Sequence, residues 1–207
     1  MKKLTEEKIK QILEFVYQKV LKEIKNSKQD IKCIDTHCDL IIKKHKYKAG
    51  FYGFITGIGG LFWIPLTLPT NLTLILYLQV KMVANIAHIA GYDLEDERVK
   101  TMVFACLTGN NAYGLLKKMG IDINTHMTEH LKKHISTHVR KHISQKTIKQ
   151  IQRKIFFKLL SKLGEKGLLS VTRVIPIISG IIGGSNDFLH THQIAKIAKE
   201  VFLKKED

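Results

Sequence analysis

Five histidines, His126, His130, His134, His138 and His142, recur at every fourth position. Imidazole is a common metal ligand, and on a helix the side chains at i and i+4 lie one turn apart on one face, so neighbouring members of the row could grip a single ion. Successive members drift by about 40° at 3.6 residues per turn, which limits any one ion to two or three of them. The candidate metal ligands are therefore His126, His130, His134 and His138, with zinc or another divalent metal as the implied cofactor. Zinc would still need a further ligand, and Glu129 is the local candidate. The plainer alternative is a solvated basic helix in which histidine recurs. A third is a pH sensor, because near the free imidazole pKa of about 6.5 the row gains charge, which predicts tighter binding to anionic liposomes at about pH 5.5 than at about pH 7.5.

A second constellation, Lys81, Asn85 and His88, falls at i, i+4 and i+7 within an otherwise apolar stretch and makes one polar stripe on a helix. Buried polar groups need partners, and the turn bearing Asp93, Glu95 and Glu97 or the later pair Asn186 and Asp187 could supply them. Two readings stand: a structural network, or a ligand site in which Lys81, Asn85, His88, Asn186 and Asp187 hold an anionic headgroup. Other patterns carry less. Asp35, His37, Cys38 and Asp39 are possible ligands, but the strand-and-helix alternation of a barrel metallohydrolase is missing around them. Gly57, Gly59 and Gly60 lead into no Gly-Lys-Ser/Thr and complete no dinucleotide fingerprint, and neither a serine-nucleophile elbow nor a His-Glu-x-x-His motif occurs.

The elements that must position these residues read as helices. Ile9, Ile12, Leu13, Val16, Val20 and Ile24 share one side of a 3.6-residue period over residues 1–30, the pattern of an amphipathic helix. Residues 31–48 are polar and lysine-rich, a short helix or a loop. From Ala49 to Tyr92 the only formally charged side chain is Lys81, and six glycines are present. Pro65 and Pro69 predict a bend into a helical hairpin whose first arm carries a stripe of Gly50, Gly53, Gly57 and Gly60, and whose second arm starts at Thr70 or Asn71 and stops at Gly91. The second arm has the length of a membrane span, but Asn71, Thr73, Gln79, Lys81, Asn85 and His88 would be costly in lipid, so a buried core hairpin is preferred over a spanning one. Residues 98–118 are helical up to a break around Gly120. Ile148, Ile151, Ile155, Leu159 and Leu163 mark a basic amphipathic helix that can lie on a membrane or pack on a core. Val174 to Gly184 is again glycine-rich and apolar, broken at Pro176, and Ile194, Ile197, Ala198 and Val201 align on a last helix.

The fold class that follows is all-α: a single-domain helical bundle of about six to eight helices with glycine-rich apolar central helices. Within one domain, 1–48 is an N-terminal helical segment, 49–118 the apolar hairpin and following helix, 119–166 a basic His/Lys-rich insert, and 167–207 the C-terminal glycine-rich and amphipathic helices. The apolar arms are expected at the centre and the basic region 117–166 at the surface.

Charge narrows the partner classes. The chain has 34 Lys plus Arg against 18 Asp plus Glu, a net +16, and residues 117–166 alone hold 13 of these bases against three acids. Such a surface is drawn to polyanions. Nucleic acid is disfavoured because the basic region has few aromatics for base stacking, which leaves an anionic lipid or membrane surface, and as a second class a membrane protein complex. No secretory signal opens the chain, and Cys33, Cys38 and Cys106 form no paired framework, so free thiols and a cytoplasmic, peripherally membrane-associated protein are expected.

Residues 53–109, GFITGIGGLFWIPLTLPTNLTLILYLQVKMVANIAHIAGYDLEDERVKTMVFACLTG, closely resemble the EcsC family pattern: a glycine cluster, two prolines four apart, a long helix with a basic residue before an I-A-x-I-A-type stretch, and a G-x-D-L turn. IPIISGIIGGSNDF and the following QIAKIAKEVF resemble the family's C-terminal segment. The chain departs from the pattern at Lys81, where arginine is commoner, and in the basic insert from Asn124 to Lys149. The resemblance implies a fold more than an activity. Together these readings point to a non-catalytic membrane-associated or lipid-binding protein, with a metal-dependent enzyme or metal-binding protein built on the histidine row as the alternative.

Overall fold

The computed structural model describes residues 6–25, 34–58, 64–119, 121, 148–159 and 176–203. Among them are seven helical segments and no strand, which establishes the all-α class. Helices α1 (Glu6–Lys25), α2 (Ile34–Ile58), α3 (Ile64–Ile89), α4 (Glu97–Cys106) and α5 (Asn111–Lys117) are followed by α6 (148–159) and α7 (Pro176–Phe202). The histidine row His126, His130, His134, His138 and His142 lies outside the described residues, as does Cys33.

The core is assembled from single faces of these helices. Ile9, Leu13, Val16, Val20 and Ile24 of α1 are buried, the face its periodicity predicted. From α3 come Leu76, Val80, Met82, Val83, Ile86 and Ala87, and from α7 Ile194, Ile197, Ala198 and Val201. Helix α4 sits deepest, with Val99 to Cys106 buried throughout. Its start is fixed by Asp96, whose carboxylate accepts from the backbone N–H of Arg98 at 2.9 Å, satisfying one of the donors a helix N-terminus leaves open. Edge-to-face packing of Tyr17 on Phe104, with centroids 5.4 Å apart, locks α1 onto α4. Helix α6 presents Ile148, Ile151, Ile155 and Leu159 to the interior and Arg153 and Lys154 to solvent, so this basic amphipathic helix packs on the core. The Cys38 and Cys106 side chains are buried, and burial pushes the Cys106 pKa far above its ordinary value.

Helix boundaries differ from the sequence expectation at four places, and the first is the stretch 98–118, which is broken by a turn at 107–110 into α4 and α5. The polar stretch 34–48 and the glycine-bearing arm 49–58 form one continuous helix, α2, because neither proline nor a helix-stopping turn separates them. Helix α3 begins at Ile64, ahead of Thr70, with Pro65 in its first turn, where a missing N–H costs no intrahelical bond. Helix α7 likewise takes Pro176 as its first residue and runs unbroken through the glycine-rich stretch to Phe202. The stop at Gly91 is as expected. Its φ of 84° allows the Tyr92 N–H to reach the Ala87 carbonyl and the Gly91 N–H that of His88, a left-handed cap that a β-carbon would strain.

No helix among the described residues is long and apolar enough to cross a membrane.

Candidate functional site

Helix α2 has two apolar stripes. Cys38, Ile42, His45 and Ala49, spaced four, three and four, are buried. Leu40, Tyr47, Phe51 and Phe54, spaced seven, four and three, are exposed, Tyr47 by 62% and Phe51 by 60%. At about 100° per residue the second set falls within a sector of about 60°, and Cys38 lies about 160° from Leu40, so the two stripes occupy opposite sides of one helix. An ordinary surface helix buries its apolar face and shows solvent a polar one. This helix shows solvent aromatics.

The exposed stripe is widened by α7, which runs antiparallel to α2 as its most extensive packing partner. Three contacts fix the register: Lys199 with Asp39 at 2.8 Å, Lys46 with His192, and the ring of Tyr47 5.7 Å from that of Phe188. Between the helices opens a groove of about 690 Å³ lined by Tyr47, Gly50, Phe51, Phe54, Ser185, Phe188 and Leu189. Leu189 is 63% exposed. At one end the Lys46 ammonium stands 5.1 Å over the Phe188 ring and donates to His192 Nδ1 at 3.3 Å. Because lysine can only donate, Nδ1 is the acceptor in this contact. Lys43, Lys44 and Lys48 stand exposed beside the same stripe.

The polar stripe foreseen on α3 is divided. Lys81 donates to Glu23 of α1 at 2.5 Å and to the Tyr77 hydroxyl at 3.1 Å, while Tyr77 donates to the same Glu23 carboxylate at 2.6 Å. Lys19, also on α1, stands 5.2 Å over the Tyr77 ring. Burial alone would lower the Lys81 pKa, but the hydrogen bonds to Glu23 and Tyr77 outweigh it and hold the ammonium above its ordinary range. Burial likewise tends to raise that of Glu23, and the bonds from Lys81 and Tyr77 bring it below the usual carboxylate value. Asn85 turns back to donate to the Lys81 carbonyl at 2.7 Å, and His88 is exposed near the end of α3. Asp187 is buried on α7, and the Asn186 side chain lies outside the described residues.

The acidic turn is not the partner of Lys81. Its carboxylates are engaged elsewhere: Asp93 accepts from the backbone of Glu95, Glu95 pairs with Lys25, and Glu97 pairs with Lys100, which also meets Glu14. Gln79, two residues before Lys81 on α3, reaches α7, with Thr191 Oγ1 at 3.3 Å. The Asp35 and His37 side chains lie outside the described residues, and Asp39 is committed to Lys199. Among the described residues no group of three or more His, Cys, Asp or Glu is placed to hold a metal ion.

Residues that the polar motifs did not flag thus form the most unusual feature of this surface. The signal was present: 40, 47, 51 and 54 keep helical spacing. It is split by the change of composition at Ala49, which divides in the sequence what is one helix in space.

Comparison with curated proteins found no match, and neither did comparison with solved structures. The G-x-D-L turn that marks the family resemblance is here the junction of α3 and α4: the Leu94 carbonyl accepts from the buried Tyr17 hydroxyl at 2.8 Å, and Tyr92 packs edge-on against Phe202 with centroids 5.1 Å apart. That landmark holds the bundle together, and the model of the EcsC protein family matches residues 1–205; the chain belongs to that family.

Proposed function

We propose that this protein is a non-catalytic module that docks peripherally on anionic membrane surfaces, with the α2–α7 face as its contact. The observation that carries the reading is the exposed stripe of Leu40, Tyr47, Phe51 and Phe54, joined by Leu189 and flanked by Lys43, Lys44 and Lys48. Scattered surface leucines are ordinary in soluble proteins, but a contiguous aromatic patch with a cationic rim is not. A helix lying in the plane of a bilayer inserts such a face to the depth of the headgroup and acyl boundary, and aromatic side chains favour that depth. The lysines then stand at the height of the phosphates, each contributing about 1 kcal/mol against an anionic leaflet. The net charge of +16 draws the whole molecule in the same direction.

The test is cosedimentation of the full chain with vesicles of phosphatidylcholine alone and with added phosphatidylglycerol. Binding is expected with the anionic vesicles, weakening as salt rises, and lost when Phe51→Glu is introduced. Equal binding to neutral vesicles, or binding unaffected by Phe51→Glu, would overturn the reading.

A further inference from the structure

Beyond docking, we infer that the α2–α7 groove seats one acyl chain of a single anionic lipid, whose phosphate is held by Lys46. This rests on the membrane-docking reading and adds a discrete site to it. A flat hydrophobic face would suffice for docking, yet here the backbone of Gly50 and the small side chain of Ser185 leave a trough between flanking aromatics. Its volume of about 690 Å³ lies in the range of ligand-binding clefts. From Tyr47 to Phe54 the trough follows about 10 Å of helix, the length of part of a straight hydrocarbon chain. It is open along one side, which suits a ligand whose remaining surface is covered by neighbouring lipid.

The polar end is asymmetric in the way an amphiphile requires. Among the described residues Lys46 has no carboxylate partner; its contacts are the Phe188 ring and His192 Nδ1. The ammonium keeps donors to spare beyond the one directed at Nδ1 of the exposed His192. A cation with unused donors at the mouth of an apolar trough matches a phosphate joined to a chain. A fatty alcohol or a neutral glyceride would leave the ammonium unmatched.

The experiment uses 1-palmitoyl-lysophosphatidylglycerol below its micellar concentration, so that no bilayer is present, with titration calorimetry on the full chain. Stoichiometric binding is expected. Ser185→Trp, a change at an exposed position that fills the trough while keeping the face apolar and its charge intact, should weaken it by roughly tenfold or more, with vesicle cosedimentation retained. Lys46→Ala should weaken the lysolipid about fivefold and leave a monoacylglycerol, which lacks the phosphate, unchanged. Should Ser185→Trp fail to fold, Leu189→Trp on the same rim carries the same test. Vesicle binding without monomer binding would overturn the groove and leave the docking surface standing, whereas loss of both in the wild-type chain would overturn both. Undiminished lysolipid binding by the folded tryptophan variant would place the chain elsewhere and sink the inference.

Discussion

Of the lysines that stand over aromatic rings, Lys81 and Lys46 do so at nearly equal distance and do different things. Lys81 lies 5.4 Å from the Tyr77 centroid on α3, and Lys46 lies 5.1 Å from that of Phe188 on α7. The first belongs to a closed circuit: Glu23 accepts from both Lys81 and Tyr77, so ammonium, hydroxyl and carboxylate satisfy one another. The second has the ring and a histidine but no carboxylate among the described residues, and the ring opens onto exposed aromatics rather than onto core. A cation–π contact alone is worth about 0.5–1 kcal/mol at an exposed site and does not neutralise charge. What separates a structural lysine from one that can receive an external anion is therefore the carboxylate, and only the α3 lysine has one.

The sharpest way to break the comparison is to remove the apolar part of the open region. Phe51→Glu with Leu189→Glu replaces two exposed apolar groups by charges that an anionic leaflet repels. Insertion of each such side chain contributes about 1.5–3 kcal/mol, so affinity for phosphatidylglycerol vesicles should fall by roughly a hundredfold to ten-thousandfold. The melting temperature should be unchanged, since both side chains face solvent. A fall in stability equal to the loss of binding would mean that this face is covered within the folded protein.

In the closed region the effect should reverse. Glu23→Gln leaves Lys81 without its counter-charge, and with both side chains about one-third exposed the loss is moderated by solvent to about 1–2 kcal/mol. Thermal unfolding should shift down by a few degrees, with vesicle binding unaltered. If Glu23→Gln instead changed lipid affinity and left stability alone, Lys81 would be the headgroup ligand and the comparison would be inverted. Lys46→Ala is the matching change on the open side: about fivefold weaker binding to anionic vesicles, none to neutral ones, and no change in melting.

How far the sequence carried this picture depended on whether one segment or two were needed. The buried faces of α1 and α6 follow from spacing within a single helix, as does the Gly91 stop, because each is a local property of the chain. The partner of Lys81 did not, since Glu23 lies 58 positions away and nothing in a helical period says which carboxylate faces it. The nearer acids of the 93–97 turn were the natural expectation, and they are consumed by Lys25, Lys100 and the turn's own backbone. The groove was hidden for a similar reason: half of it comes from α2 and half from α7, and antiparallel pairing brings Tyr47 to Phe188. Composition misled at Ala49, where a change from lysine-rich to glycine-rich sequence marks no structural boundary at all.

The smallest predicted effect concerns a buried residue of α2. His45 lies on the buried stripe of α2, directly behind the exposed one, and its Nδ1–H donates to the Ile41 carbonyl at 2.8 Å. Burial lowers its pKa most; the bond to Ile41 works the other way, and the charges of Lys81 on α3 and of Lys48 and Lys44 on α2 lower it further. An imidazole whose folded pKa lies below the free value of about 6.5 is neutral in the native state where the unfolded chain already binds a proton. Stability from this group is thus complete above about pH 6.5 and declines as pH falls from there toward the folded pKa. The melting temperature should accordingly drop between about pH 7.5 and about pH 5.5, and His45→Gln, which keeps a donor for Ile41 but cannot take up a proton, should reduce that slope. Acidification would then loosen the face that packs α2 on the bundle while leaving the cationic rim charged, so binding to anionic vesicles should survive a pH at which stability has begun to fall. An unchanged slope in His45→Gln would assign the acid sensitivity to other groups and separate the two faces of α2 completely.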